Sequence, residues 1–239
     1  MSKIIVANWK MNPPTLQEAE DLFRASAGAI VCSPFVYLEE LSKIKSGAVL
    51  GAQDIAFSDE PRQTGEVSGE MLKRLGVKYV IIGHSERRWK LGESAETVNR
   101  KLKLALVHNL TPIVCIGEKV RDESFKKFLE EQVAATFASL SAGEISKCLI
   151  AYEPVWSIST TPGSKPDTPD SAVESISIIK SALAINYSLL AIRYLYGGSV
   201  DSQNVGDFIS KPEIAGVLVG GASVDKEEFK KILDISLNV

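Results

Sequence analysis

The chain has little of what marks the specialised protein classes. Its 239 residues hold three cysteines, Cys32, Cys115 and Cys148. An odd number at wide spacing argues against a disulfide framework and for a reducing compartment. Cys115 and Cys148 fall inside apolar runs, where cysteine acts as a small hydrophobe. There are two histidines, His84 and His108, and no CxxC pair, so a structural zinc site is not expected, and neither is any other metal site. No apolar run approaches the roughly 18 residues that span a bilayer. The apolar part of "MSKIIVANWK" is too short for a signal-peptide core and is interrupted by Asn8 and Lys10. A cytoplasmic location without a membrane partner is therefore expected. The formal net charge is −3, with both signs interspersed and no dense basic run, which argues against a nucleic-acid partner. No linker and no low-complexity segment divides the chain, so one domain over residues 1–239 is expected.

What is present is a rhythm. Short β-rich runs recur at "KIIVAN" (3–8), "AIVC" (29–32), "AVLGA" (48–52), "KYVIIG" (78–83), "PIVCIG" (112–117), "CLIAYE" (148–153), "IRYLY" (192–196) and "GVLVG" (216–220). They are continuously apolar more than alternating, as expected of parallel strands buried on both faces. Helical patterns lie between them. Thr15 precedes a run with apolar residues at Leu16, Ala19, Leu22 and Phe23; Ser94 precedes one at Val98, Leu102, Ala105 and Leu106. Residues 124–140 and 225–236 behave similarly, with Asp225 as a cap. Eight alternating units in this length fit either a doubly wound sheet or, better, an α/β fold of the (β/α)8 barrel type.

A barrel does its chemistry where the strands end. The residues there are Asn8 and Lys10 after the first run, His84 after the fourth, Gly117 and Glu118 after the fifth, and Glu153 after the sixth. "YGGSV" (196–200) follows the seventh and "GGASV" (220–224) the eighth. Glycine pairs let backbone N–H groups approach a ligand closely, and a following helix start favours an anion. Taken singly, each residue has a plainer reading. Glu153 could be a surface carboxylate, His84 a cap, the glycines tight turns, and Trp156 core. The Pro/Ser/Thr-rich stretch 157–171 is long for a connection in a compact domain, which marks it as functional or disordered.

With these residues in place the chain resembles the triosephosphate isomerase family. The shared motifs are "ANWKMN" (7–12), "GAQD" (51–54), "TGEVS" (64–68), "IIGHSERR" (81–88), "CIGE" (115–118), "AYEPVW" (151–156), "YGGSV" (196–200) and "GVLVGGAS" (216–223), in order over nearly the whole chain. The resemblance implies a TIM barrel, a cofactor-free isomerase of triose phosphates acting in glycolysis and gluconeogenesis, and an enediol(ate) mechanism. It implies that Glu153 is the base, His84 a neutral electrophile, Lys10 the stabiliser of the enediolate, and Asn8 a positioning residue. Phosphate would take N–H groups from Ser159, Ser199, Gly220 and Gly221. Ser85 would hold Glu153, Glu86 would stand near Lys10, and Glu118 would meet the indole of Trp156 on the lid. The family is usually a homodimer, so the loop 53–69, with Thr64 at the matching position, is expected to reach a second copy.

The lid departs from the family pattern. "WSISTTPGSKPDTP" (156–169) is longer than the usual segment and has Ser159 and Thr161 where glycines are usual. Two further readings therefore stand beside the leading one. One is a different phosphate-gripping barrel; its Schiff-base aldolase form is disfavoured because the later strands carry no lysine. The other is a barrel that binds its ligand without turning it over.

Overall fold

The computed structural model of the chain describes residues 2–158, 163–185 and 191–239. Eight parallel strands close on themselves in sequence order: β1 (Ile4–Asn8), β2 (Ile30–Ser33), β3 (Val49–Ala52), β4 (Tyr79–Ile82), β5 (Thr111–Ile116), β6 (Leu149–Tyr152), β7 (Arg193–Tyr196) and β8 (Gly216–Val219). β8 returns to pair with β1, so the sheet has no free edge. Among the described residues ten α-helices lie between or after the strands: α1 (Leu16–Ala25), α2 (Phe35–Ser42), α3 (Gly69–Arg74), α4 (Ser85–Lys90), α5 (Ala95–Val107), α6 (Phe125–Thr136), α7 (Ala142–Ile145), α8 (Pro169–Ala184), α9 (Val205–Ile209) and α10 (Lys226–Ser236). This is a single (β/α)8 barrel, as the rhythm of the sequence predicts.

Two cores explain the unbroken apolar runs. Inside the barrel sit Val6, Ile30, Cys32, Ile81, Ile113, Cys115, Leu149, Ala151, Leu195 and Leu218. Their neighbours along the strands, such as Ala7, Ile82, Val114, Ile150 and Tyr152, face the helix layer. Both faces are therefore dry and both need apolar residues. The alternation also sets the direction of the residue just past each strand. Leu149 and Ala151 point into the barrel, so the next residue of that parity, Glu153, does too. Val6 places Asn8 in the same way, and Leu218 places Gly220. Three ionisable thiols share this dry interior or lie beside it. Cys32, Cys115 and Cys148 are free and buried. Burial pushes all three thiols up, Cys148 to about 12, which leaves them protonated and unreactive.

The expected caps are present. Thr15, Ser94 and Asp225 accept backbone N–H groups at the starts of α1, α5 and α10. Leu16 differs from expectation. It stands at the first position of α1 and is 39% exposed, while Ala19, Leu22 and Phe23 form the buried face. α5 also buries what apolar periodicity overlooks: Lys101 is 2% exposed. Its ammonium bonds to Asp54 at 2.6 Å and pairs with Glu93. Arg87 completes the cluster, 2.9 Å from Asp54 and 2.6 Å from Glu93. Burial outweighs the cations at Asp54 and holds its carboxyl above the usual range. At Glu93 burial is overcome by Lys101 and Arg87, and the carboxyl lies below it. Two cations and two carboxylates leave no net charge to bury.

Lys101→Met keeps the bulk of the side chain but leaves two buried carboxylates to share the single guanidinium of Arg87. Removing one partner from a buried pair costs about 3–5 kcal/mol. Urea unfolding should show that loss, and a change below about 1 kcal/mol would mean that the cluster is already solvated.

Candidate active site

One cleft of about 450 Å³ opens at the carboxyl ends of the strands. Asn8, Lys10, His84, Glu153, Ser199, Gly220 and Gly221 all line it. They come from the ends of five different strands, so the closed barrel is what gathers them.

Glu153 is 2% exposed at the end of β6. Its amide donates to the carbonyl of Ile116 at 2.8 Å, which extends the β5–β6 ladder by one residue and fixes the backbone. Its Oε1 lies 3.0 Å from His84 Nε2, and its Oε2 accepts the amide of Ser85 at 3.0 Å. Burial works against its ionisation, but the imidazole, that amide and the Cys115 thiol outweigh it and hold the carboxyl below its usual value. The contact from Ser85 is made by the backbone; the serine hydroxyl is buried without a hydrogen-bond partner among the described residues.

His84 is set by the helix it starts. Its Nδ1 accepts the amide of Glu86 at 3.2 Å. That nitrogen therefore carries no proton, and Nε2 is the one that donates to Glu153. Lys10 stands across the cleft. Its backbone is left-handed, φ 53°, a conformation that non-glycine residues seldom adopt. Hydrogen bonds hold it there. Its amide reaches Asn8 Oδ1 at 3.1 Å, and Gln53 Nε2 donates to its carbonyl at 2.8 Å. Its ammonium lies 3.2 Å from Glu86. Burial raises the Glu86 carboxyl, but the Lys10 ammonium brings it down below its usual value.

Behind Glu153 a second acid organises the start of the segment that follows β6. Oε1 of buried Glu118 accepts the Trp156 indole at 2.9 Å, the Tyr152 hydroxyl at 2.8 Å and Arg121 at 3.3 Å. The two ends of that segment are tied together. The amide of Lys165 reaches the Trp156 carbonyl at 3.3 Å, and that of Asp167 reaches Ser157 Oγ at 3.1 Å. Tyr152, Arg121, Gln53 and Asp167 are absent from the sequence-based site. Each acts on a neighbour rather than on the cleft, and residue type alone gives no sign of that. Ser159 lies outside the described residues. Thr64 is exposed on the loop 53–69 and does not line the cleft of its own chain.

Residues 3–236 match the triosephosphate isomerase family. The chain belongs to the triosephosphate isomerase family. Curated relatives called triosephosphate isomerase include that of Moorella thermoacetica, 42% identical with 97% of each chain covered. That of Endomicrobium trichonymphae is 41% identical, with 98% of each chain covered. That of Clostridium botulinum is 40% identical over 97% of this chain and 98% of its own. Membership accounts for the glycines at the site as well as its side chains. A Cβ on Gly117 would lie 1.8 Å from the Glu153 carbonyl oxygen, and one on Gly198 would lie 2.2 Å from the Tyr196 hydroxyl. The "CIGE" and "YGGSV" motifs are thus conditions for packing the strand ends that line the cleft.

Gly117→Ala tests this. The clash is with backbone, so β5 and β6 must separate, and overpacking of this kind costs about 1–3 kcal/mol or more. Thermal unfolding should fall accordingly and isomerase activity should drop with it. A variant of wild-type stability and activity would show that the two strand ends part freely.

Proposed function

We propose that the cleft interconverts dihydroxyacetone phosphate and D-glyceraldehyde 3-phosphate, with Glu153 moving a proton between adjacent carbons. The pairing of Glu153 with the Nε2–H of His84 at 3.0 Å carries this reading. A base and a hydrogen-bond donor that face each other can take a carbon acid and its carbonyl between them. Glu153 removes the proton from the carbon beside the carbonyl, and the electron pair moves onto the carbonyl oxygen. His84 donates to that oxygen, and the Lys10 ammonium stabilises the enediolate charge. The hydroxyl proton passes from one oxygen to the other, and Glu153 returns its proton to the neighbouring carbon. No redox change occurs and every atom is retained, so the step needs no cofactor.

The substrate must displace the Glu153–His84 contact as it enters. Glu153 stands at the junction of a rigid strand and the segment that starts at Pro154, so its carboxylate can move while its backbone stays in register. Asn8, next to Lys10, helps to position the substrate. The amides of Ser159, Ser199, Gly220 and Gly221 serve the phosphate. Trp156, with the segment behind it, excludes water, a gating role for which this enzyme family is itself the usual illustration.

A coupled assay on glyceraldehyde 3-phosphate tests the reading. Glu153→Gln should lower kcat by at least the 10²–10⁴-fold typical of general-base loss, about what removal of a positioned base produces. Binding of a phosphate analogue should stay within a few-fold. Equal loss of both would make Glu153 structural. A wild-type chain that binds the analogue but does not turn over would favour the binding-only reading and point to the altered segment 157–168.

We also infer a homodimer through the loop 53–69. Met11, beside Lys10, is 96% exposed in the single chain, and Phe57 on the loop is 38% exposed. A large apolar side chain left bare at the edge of a catalytic cleft suits burial by a second copy. Sedimentation at micromolar concentration should give twice the chain mass, and a clean monomer would refute this assignment. The buried free thiols suit a cytoplasmic, reducing location. Among the described residues no helix is long and apolar enough to cross a membrane.

A further inference from the structure

A phosphate site made of backbone N–H groups has a built-in difficulty. Every peptide that offers an N–H also carries a C=O, which repels an anion if it turns the wrong way. In a trans peptide the two point in opposite directions. Holding a carbonyl back from the cleft therefore aims the next residue's N–H into it.

Two side chains outside the cleft lining do this. In the loop after β8, Ser223 is fully buried, and its hydroxyl donates to the carbonyl of Gly220 at 2.6 Å. The Ser223 amide donates to the same oxygen at 2.9 Å. The peptide that carries the Gly221 N–H is thereby fixed. In the loop after β7, Asn204 Nδ2 donates to the carbonyl of Ser199 at 3.1 Å, which fixes the peptide carrying the Val200 N–H and the turn that holds Ser199. Asn204 is itself held, because its Oδ1 accepts the amide of Asp201 at 3.1 Å. Asp201 lines the cleft and is negatively charged, yet its Oδ1 is engaged by the amides of Gln203 at 2.9 Å and Asn204 at 3.1 Å. The amides of Ser199, Gly220 and Gly221 have no acceptor among the described residues.

We propose that Ser223 and Asn204 are positioning residues for the phosphate grip, each capturing a carbonyl so that the neighbouring amides face the ligand. This rests on the triose phosphate reading above. It explains a serine and an asparagine that touch neither the cleft nor the reacting atoms.

The test uses the full chain and the uncharged variants Ser223→Ala and Asn204→Ala, one in each loop. Two substrates are compared, glyceraldehyde 3-phosphate and unphosphorylated D-glyceraldehyde, and the dissociation constant of inorganic phosphate is measured by calorimetry. Losing one such hydrogen bond should weaken phosphate binding about five- to tenfold and lower kcat/KM on the phosphorylated substrate in step. Turnover of D-glyceraldehyde should not change. Equal losses on both substrates would mean a general structural role and would overturn the proposal. So would wild-type phosphate affinity in both variants, or a wild-type chain that does not bind phosphate. A wild-type chain that binds phosphate without isomerising would sink the reaction assigned above and leave this proposal to be decided by the variants' phosphate affinity alone.

Discussion

The site depends on a carboxylate kept charged inside a dry barrel rim. Glu153 faces inward because strand alternation after Leu149 and Ala151 leaves it no other side. Ionised and nearly sealed from water, it would be intolerable without donors. His84, the Ser85 amide and the Cys115 thiol supply them. Most other features near the cleft stem from this arrangement. α4 starts where it does so that its first amides can serve Glu153 and His84. Gly117 lacks a Cβ because the Glu153 backbone occupies that space. Glu118, one residue on, fixes the tryptophan that begins the segment behind the base.

The same economy appears on the opposite wall. There the carbonyls of Gly220 and Ser199 are held by Ser223 and Asn204, two side chains that do not line the cleft. Lys10 belongs to this logic too. Its left-handed backbone is sustained by hydrogen bonds from Gln53 and to Asn8, so the cost of an unusual conformation is met by its neighbours.

Much of this could be read in advance. The eight strands were legible because burial on both faces leaves an unbroken apolar run, and the cleft residues because polar side chains at strand ends are conspicuous against such runs. Family motifs then supplied roles that position alone left open. What escaped was held by long-range pairing. Lys101 looks like a solvated helix residue until Asp54 and Glu93 are seen beside it. Tyr152 meets Glu118 across 34 residues and Arg121 meets Glu174 across 53, and neither distance leaves a periodic trace. Leu16 failed for the opposite reason: it fits the apolar pattern of α1 but stands at its first turn, on the exposed side.

The loop between β3 and α3 shows how such pairing divides labour along a chain. Its first two residues are pinned, Gln53 to the carbonyls of Lys10 and Cys32, and Asp54 to Lys101 and Arg87. Ile55 and Ala56 are still buried behind them, and the exposed part of the loop begins at Phe57. The pinned residues thus separate the outer, exposed part of the loop from the lysine and the imidazole, so that a contact made out there need not disturb the cleft.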